Sequence, residues 1–117
     1  MEKVEHLSLF YADPTVDVEA QLANRLDPSM DKLRGTSDNP RRVTGIMAGY
    51  KTAGTGYLIL RKNGNTMATF DIRTLAARTD LTPLDIELAS GDELVVWAVD
   101  TEDTVADLAV VLRHEAR

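Results

Sequence analysis

Tyr57-Leu58-Ile59-Leu60-Arg61-Lys62-Asn63-Gly64 is the stretch that decides the fold. An apolar, partly branched run ends in Asn-Gly, the pair that most readily takes the positive φ of a two-residue hairpin turn. Thr66 to Ile72 then returns along the first strand. A tight hairpin in the middle of the chain sets the period to look for on either side, which is two.

That period is found in both directions. Upstream, Val43 to Thr52 reads as a strand, and its Gly45 and Gly49 mark bulges or close backbone approach. Gly54-Thr55-Gly56 is the turn between the two. Downstream, Arg73 to Thr82 reads as a loop or short helical turn, and residues 83–89 alternate through Leu84, Ile86 and Leu88. Ser90-Gly91-Asp92 turns into a strand over 93–100, and Thr101 to Asp103 is a polar turn. Residues 105–114 close the chain with Ala106, Leu108, Val110 and Leu112 on one face. At the other end, Val4 to Tyr11 alternates with Leu7, Leu9 and Tyr11 together, and Asp13-Pro14 breaks it. Thr15 to Leu22 alternates as well. A helix capped by Asp13 competes there, since Val18, Leu22 and Leu26 share a helical face, but the strand is favoured. Residues 27–42 read as a long loop.

About eight short strands in 117 residues give an all-β, two-sheet β-sandwich, with the count of a single eight-stranded jelly roll. Strand order is not fixed by sequence, so an immunoglobulin-like sandwich stays open. The length suits one domain, 1–117.

Composition excludes several classes. With no cysteine there is no disulfide, thiolate or cysteine-ligated metal, and the redox compartment stays undecided. No apolar run approaches the ~18 residues of a membrane span. The first residues have neither the basic nor the apolar region of a signal peptide. Residues 1–79 hold nine acids against eleven Lys or Arg, a net +2, and residues 80–117 hold ten acids against two Arg, a net −8. Such acidity argues against a phosphate-backbone partner. The one basic patch is Lys32, Arg34, Arg41 and Arg42, diluted by Asp31 and Asp38.

No constellation carries chemistry. His6 and His114 stand near opposite ends of the chain and read as surface or edge histidines, although end strands of a sandwich can be neighbours. No serine sits in a Gly-x-Ser-x-Gly frame. Gly54-Thr55-Gly56-Tyr57 lacks the third glycine of a dinucleotide loop. Two histidines are too few for a cupin. Asp100, Glu102, Asp103 and Asp107 surround a turn that suits calcium, but without the spacing of an EF-hand. The expectation is a chain that is not an enzyme, with no catalytic residue, no metal and no cofactor. Tyr50 and Tyr57 flank a glycine-rich turn and are the candidates for a ligand platform.

The most informative feature is apolarity on both faces of single strands. Leu94-Val95-Val96-Trp97-Ala98-Val99 is continuous, and Leu58-Ile59-Leu60 and Ala109-Val110-Val111-Leu112 behave alike. A two-layer sandwich usually wets one side of each sheet. The outer side must therefore be covered, by the chain's own 12–42 segment or by another subunit. If Leu94, Val96 and Ala98 face the core, Val95, Trp97 and Val99 form a contact stripe. Trp97 leads it, because tryptophan is enriched among residues that dominate binding energy. The charge asymmetry suits contacts between copies, with Arg41 and Arg42 meeting acids of the 80–107 region.

The stretch from Val43 to Leu112 resembles the small jelly-roll proteins that decorate or cement the capsids of tailed phages and related archaeal viruses. The resemblance lies in Val43-Thr44-Gly45-Ile46, in Gly56-Tyr57-Leu58-Ile59-Leu60 with its Asn63-Gly64 hairpin, and in the Leu88-Ala89-Ser90-Gly91-Asp92-Glu93-Leu94 turn. It implies a structural protein on the virion surface that binds a major capsid protein and its own copies as a symmetric oligomer such as a trimer. Off the particle it would be soluble and cytoplasmic, with neither nucleic acid nor membrane as partner. The alternative is a carbohydrate- or ligand-binding β-sandwich module, and a small hydrolase comes third.

Overall fold

The computed structural model describes residues 5–12, 20–23, 32–36, 40–50, 55–101 and 108–116. Nine strands and one short helix make up the described chain: β1 (Glu5–Ala12), β2 (Ala20–Gln21), β3 (Leu33–Arg34), β4 (Arg41–Gly49), β5 (Gly56–Lys62), β6 (Asn65–Asp71), α1 (Ile72–Ala76), β7 (Thr82–Leu88), β8 (Glu93–Asp100) and β9 (Leu108–Ala116). One sheet has the order β1-β9-β4-β7. The other runs β2-β8-β5-β6, with β3 also on β8.

The order follows from one hairpin. Its tip is Asn63-Gly64, with φ 52° and 84°, the two positive values that a type I′ turn requires. Outward from the tip the antiparallel pairs nest: β5 with β6, β4 with β7, β2 and β3 with β8, and β1 with β9. Rolling this ribbon up adds the pairs β4–β9 and β5–β8. That is the jelly roll, its second strand interrupted into β2 and β3, and two closed-over sheets of antiparallel strands are the result.

Alternation places the core. β8 turns Leu94, Val96 and Ala98 inward, β5 turns Leu58 and Leu60 inward, and β9 turns Leu108, Val110 and Leu112 inward, all fully buried. From β4 and β7 come Val43, Ile46, Ile86 and Leu88. Each such Leu, Ile or Val side chain contributes about 1.5–3 kcal/mol by leaving water. Between the sheets runs α1. Asp71 caps it, its Oδ1 accepting from the Thr74 N–H at 2.9 Å, and its Ile72 and Leu75 complete the core.

Gly45 does mark a bulge. The register of β4 against both neighbours shifts between Val43 and Gly45, and Thr44 Oγ1 there accepts from Arg113 Nε at 2.9 Å. Gly49 ends its strand with open space around it. The 27–42 loop is corrected in part, since Leu33–Arg34 pairs with β8 and Arg41 already belongs to β4. Leu33 is buried, and a single inward side chain in a polar stretch leaves no period to read. Of the 15–22 strand, Ala20–Gln21 is a strand; residues 13–19 and 105–107 lie outside the described residues.

Candidate functional site

The outer face of β5 and β8 carries the expected stripe. The inward phase of Leu94, Val96 and Ala98 leaves Val95, Trp97 and Val99 outward. Register sets Tyr57 beside Val99, Ile59 beside Trp97, and Arg61 beside Val95. Thr69 of β6 flanks Ile59, and Gln21 of β2 flanks Trp97. Tyr57 is 49% exposed, and Ile59, Val95, Trp97 and Val99 are half-buried. The guanidinium carbon of Arg61 lies 5.6 Å from the Trp97 ring centroid, within the range of a cation–π contact.

This row combines an indole, a phenol, branched aliphatics and one guanidinium. The indole, the phenol and the guanidinium are types enriched where proteins meet proteins. It is less suited to a sugar, which needs an open aromatic face, because Arg61 already lies over one side of Trp97. Nor do Tyr50 and Tyr57 make a joint platform. Tyr57 is on the outer face, whereas Tyr50 packs against the core.

Arg41 and Arg42 stand apart from the row, on β4 of the other sheet. Arg42 meets acids of the 80–107 region within its own chain: Nη2 reaches Glu87 Oε1 at 2.7 Å and Nε reaches Asp85 Oδ1 at 3.4 Å. The hydrogen bond to Glu87, then the charge of Asp85, raises its pKa further above the ordinary guanidinium value. Much of the cationic charge expected to reach another copy is thus answered internally.

Sequence reasoning missed a buried polar cluster. His114, read as a surface or edge residue, is 4% exposed. Its Nδ1 lies 3.1 Å from Arg41 Nη1 and its Nε2 lies 2.7 Å from Ser8 Oγ. The correction has a simple cause: His114 shares its phase with Leu108, Val110 and Leu112. β1 and β9 are neighbours, and His6 is the cross-strand partner of His114. A serine and a histidine at this distance resemble a nucleophile and its base. Guanidinium only donates, so Nδ1 must accept, and the ring proton sits on Nε2 facing Ser8. Such a ring donates to the hydroxyl and cannot take its proton. The cluster ties β1, β9 and β4 together.

The Leu88–Leu94 turn is a second hub. Asp92 Oδ1 accepts from Asn63 Nδ2 at 2.9 Å, and Oδ2 accepts from the Ala89 N–H at 2.9 Å. Asn63 Oδ1 in turn takes the Glu93 N–H at 3.0 Å. The Asn63 and Ala89 bonds hold the Asp92 carboxyl below the ordinary range. Gly35 closes the hub: its N–H donates to Asp92 O and its carbonyl accepts from Gly91 N. All these contacts secure the hairpin tip to the neighbouring turn. The calcium candidates Glu102, Asp103 and Asp107, and the side chain of Asp100, lie outside the described residues. Among the described residues no helix is long and apolar enough to cross a membrane.

No family model matches the chain. No curated protein matches it significantly either.

Proposed function

We propose that the chain is a non-enzymatic structural protein of the capsid-decoration kind, which seats the outer face of its five-stranded sheet on a viral shell protein. The observation that carries the reading is the row Tyr57, Ile59, Val95, Trp97 and Val99, apolar on a face that a wet sandwich would make polar. The jelly-roll order supports it, as does the resemblance through the 43–112 stretch. So does the commitment of the polar clusters to holding strands and turns together. The sandwich presents the row on paired strands, so little has to be ordered on binding.

The test is sedimentation of virus particles from producing cells, with the tagged chain followed across the gradient. Wild type travels with the particles. Trp97→Arg stays at the top of the gradient while melting at the wild-type temperature. A wild-type chain absent from particles, or a Trp97→Arg variant that still travels with them, overturns the reading. Saturable binding of soluble glycans that Tyr57→Ala abolishes would favour the carbohydrate module instead.

A further inference from the structure

We infer that Asn63 is a site of spontaneous deamidation, that its bonds to the 88–94 turn hold the reaction in check while the hub is closed, and that the acid formed keeps the hub from closing again. The inference stands apart from the shell-binding reading and uses none of the outer row.

The sequence supplies the reactants. In Asn63-Gly64 the attacking nitrogen belongs to a residue without a side chain, and Gly64 has open space around it. Asn63 is exposed at the hairpin tip, where water reaches it. The main-chain nitrogen of Gly64 attacks Cγ of Asn63 and gives up its proton. The Cγ–Nδ2 bond breaks, and Nδ2 leaves as ammonia carrying that proton. Water then opens the five-membered imide at either carbonyl, leaving aspartate or isoaspartate. No oxidant or reductant is consumed, and asparagine counts among the thermolabile residues of proteins.

The structure supplies the brake. Both heteroatoms of the Asn63 amide are held by the neighbouring turn and not by its own. Nδ2 donates to Asp92 Oδ1 at 2.9 Å, and Oδ1 accepts from the Glu93 N–H at 3.0 Å. The Asn63 N–H donates to Glu93 O at 2.9 Å, so the main chain is pinned to the same place. The carboxamide thus reaches across to the start of β8, and Cγ turns toward the Gly64 nitrogen only when its side-chain bonds break.

The same contacts make the product a switch. Aspartate at this position has no N–H for Asp92 Oδ1 and sets a second carboxylate where the amide lay. Two carboxylates sharing a site do not both ionise readily. Lys62 Nζ, 3.6 Å from Asp92 Oδ2, answers one such charge and not two. Isoaspartate adds an atom to the main chain of the two-residue turn, whose paired positive φ values set the hairpin. Either product leaves the tip unfastened from the 88–94 turn.

The test incubates the full chain in mildly alkaline buffer and follows Asn63 by peptide mapping, which separates asparagine, aspartate and isoaspartate. Wild type should convert slowly. Asp92→Ala should convert about tenfold faster or more, the change carried by one hydrogen bond to a charged group. Leu75→Ala, which lowers the melting temperature from the core, should leave the rate near that of wild type. Asn65, followed by the branched Thr66, should keep its amide throughout. Asn63→Asp should melt below wild type at pH 7, and should cost less in an Asp92→Ala background, where the opposing carboxylate is gone. Conversion no faster in Asp92→Ala than in wild type, or equally fast in Leu75→Ala, overturns the brake. An Asn63→Asp chain that melts with wild type overturns the switch. None of these outcomes bears on whether the chain travels with particles.

Discussion

Arg61 and Trp97 lie on neighbouring strands, with the guanidinium carbon of one 5.6 Å from the ring centroid of the other. The contact covers part of the indole in the free chain and is worth about 0.5–1 kcal/mol at an exposed site. Arg61→Ala should therefore make Trp97 more open to acrylamide. An unchanged quenching constant would mean that the arginine does not cover the ring in solution.

His114 is predicted to act as a fastener between strands. His114→Phe keeps an apolar ring in the core but removes the partner of Arg41 Nη1 and of Ser8 Oγ. The expected loss is about 1–3 kcal/mol, the cost of leaving buried polar groups unmatched. Equilibrium urea unfolding measures it, and a neutral or stabilising result would show that the cluster contributes nothing net.

Asp92 sets an acid limit. Its carboxyl is held below the ordinary value of 3.8, first by Asn63 and then by the Ala89 N–H. A depressed folded value means that the stabilisation is complete above the unfolded pKa and is lost as pH falls through the folded one. Asp92→Ala should melt lower than wild type at pH 7. The gap should narrow as pH drops below 3.8, and thermal melts between pH 7 and pH 2 check it. A gap that stays constant would remove Asp92 from the acid response.

Gly35 is predicted to accept no side chain. A Cβ there would collide with the backbone carbonyls of Leu88 and Ala89, which cannot swing aside. Gly35→Ala should cost about 1–3 kcal/mol, as overpacking does. A chemical-denaturation midpoint equal to wild type would show that the 88–92 turn gives way freely.

How much of this was legible depended on periodicity. The hairpin at Asn63-Gly64 was readable because one dipeptide encodes two positive φ values. The strands from Val43 onward were readable because inward and outward residues alternate over seven to nine positions. β3 was hidden, since two residues carry no period. The nested order β1–β9, β2/β3–β8, β4–β7 was also hidden, because pairing between distant strands leaves no local mark. Val95, Trp97 and Val99 could be named as one face of β8, but not their neighbours Tyr57 and Ile59, which only the register of β5 brings alongside. His114 was visible as an inward position by phase, but its polarity turned the reading toward the surface, and Arg41, which answers that polarity, is 73 residues away. The first strand is corrected in phase: Leu7, Leu9 and Tyr11 read as its apolar face, yet Phe10 is buried and Leu7 is 68% exposed, so Ser8 shares the inward phase of Phe10.

The proposed role makes the outer row around Trp97 a contact surface for a shell protein. Acrylamide quenching of the chain's single tryptophan, in the free protein and on purified particles, reads that contact directly. The indole should be quenched in the free chain and become shielded, with blue-shifted emission, when the chain is particle-bound. An indole equally shielded in both states would mean that the row is ordinary packing within the chain, and would contradict the claim.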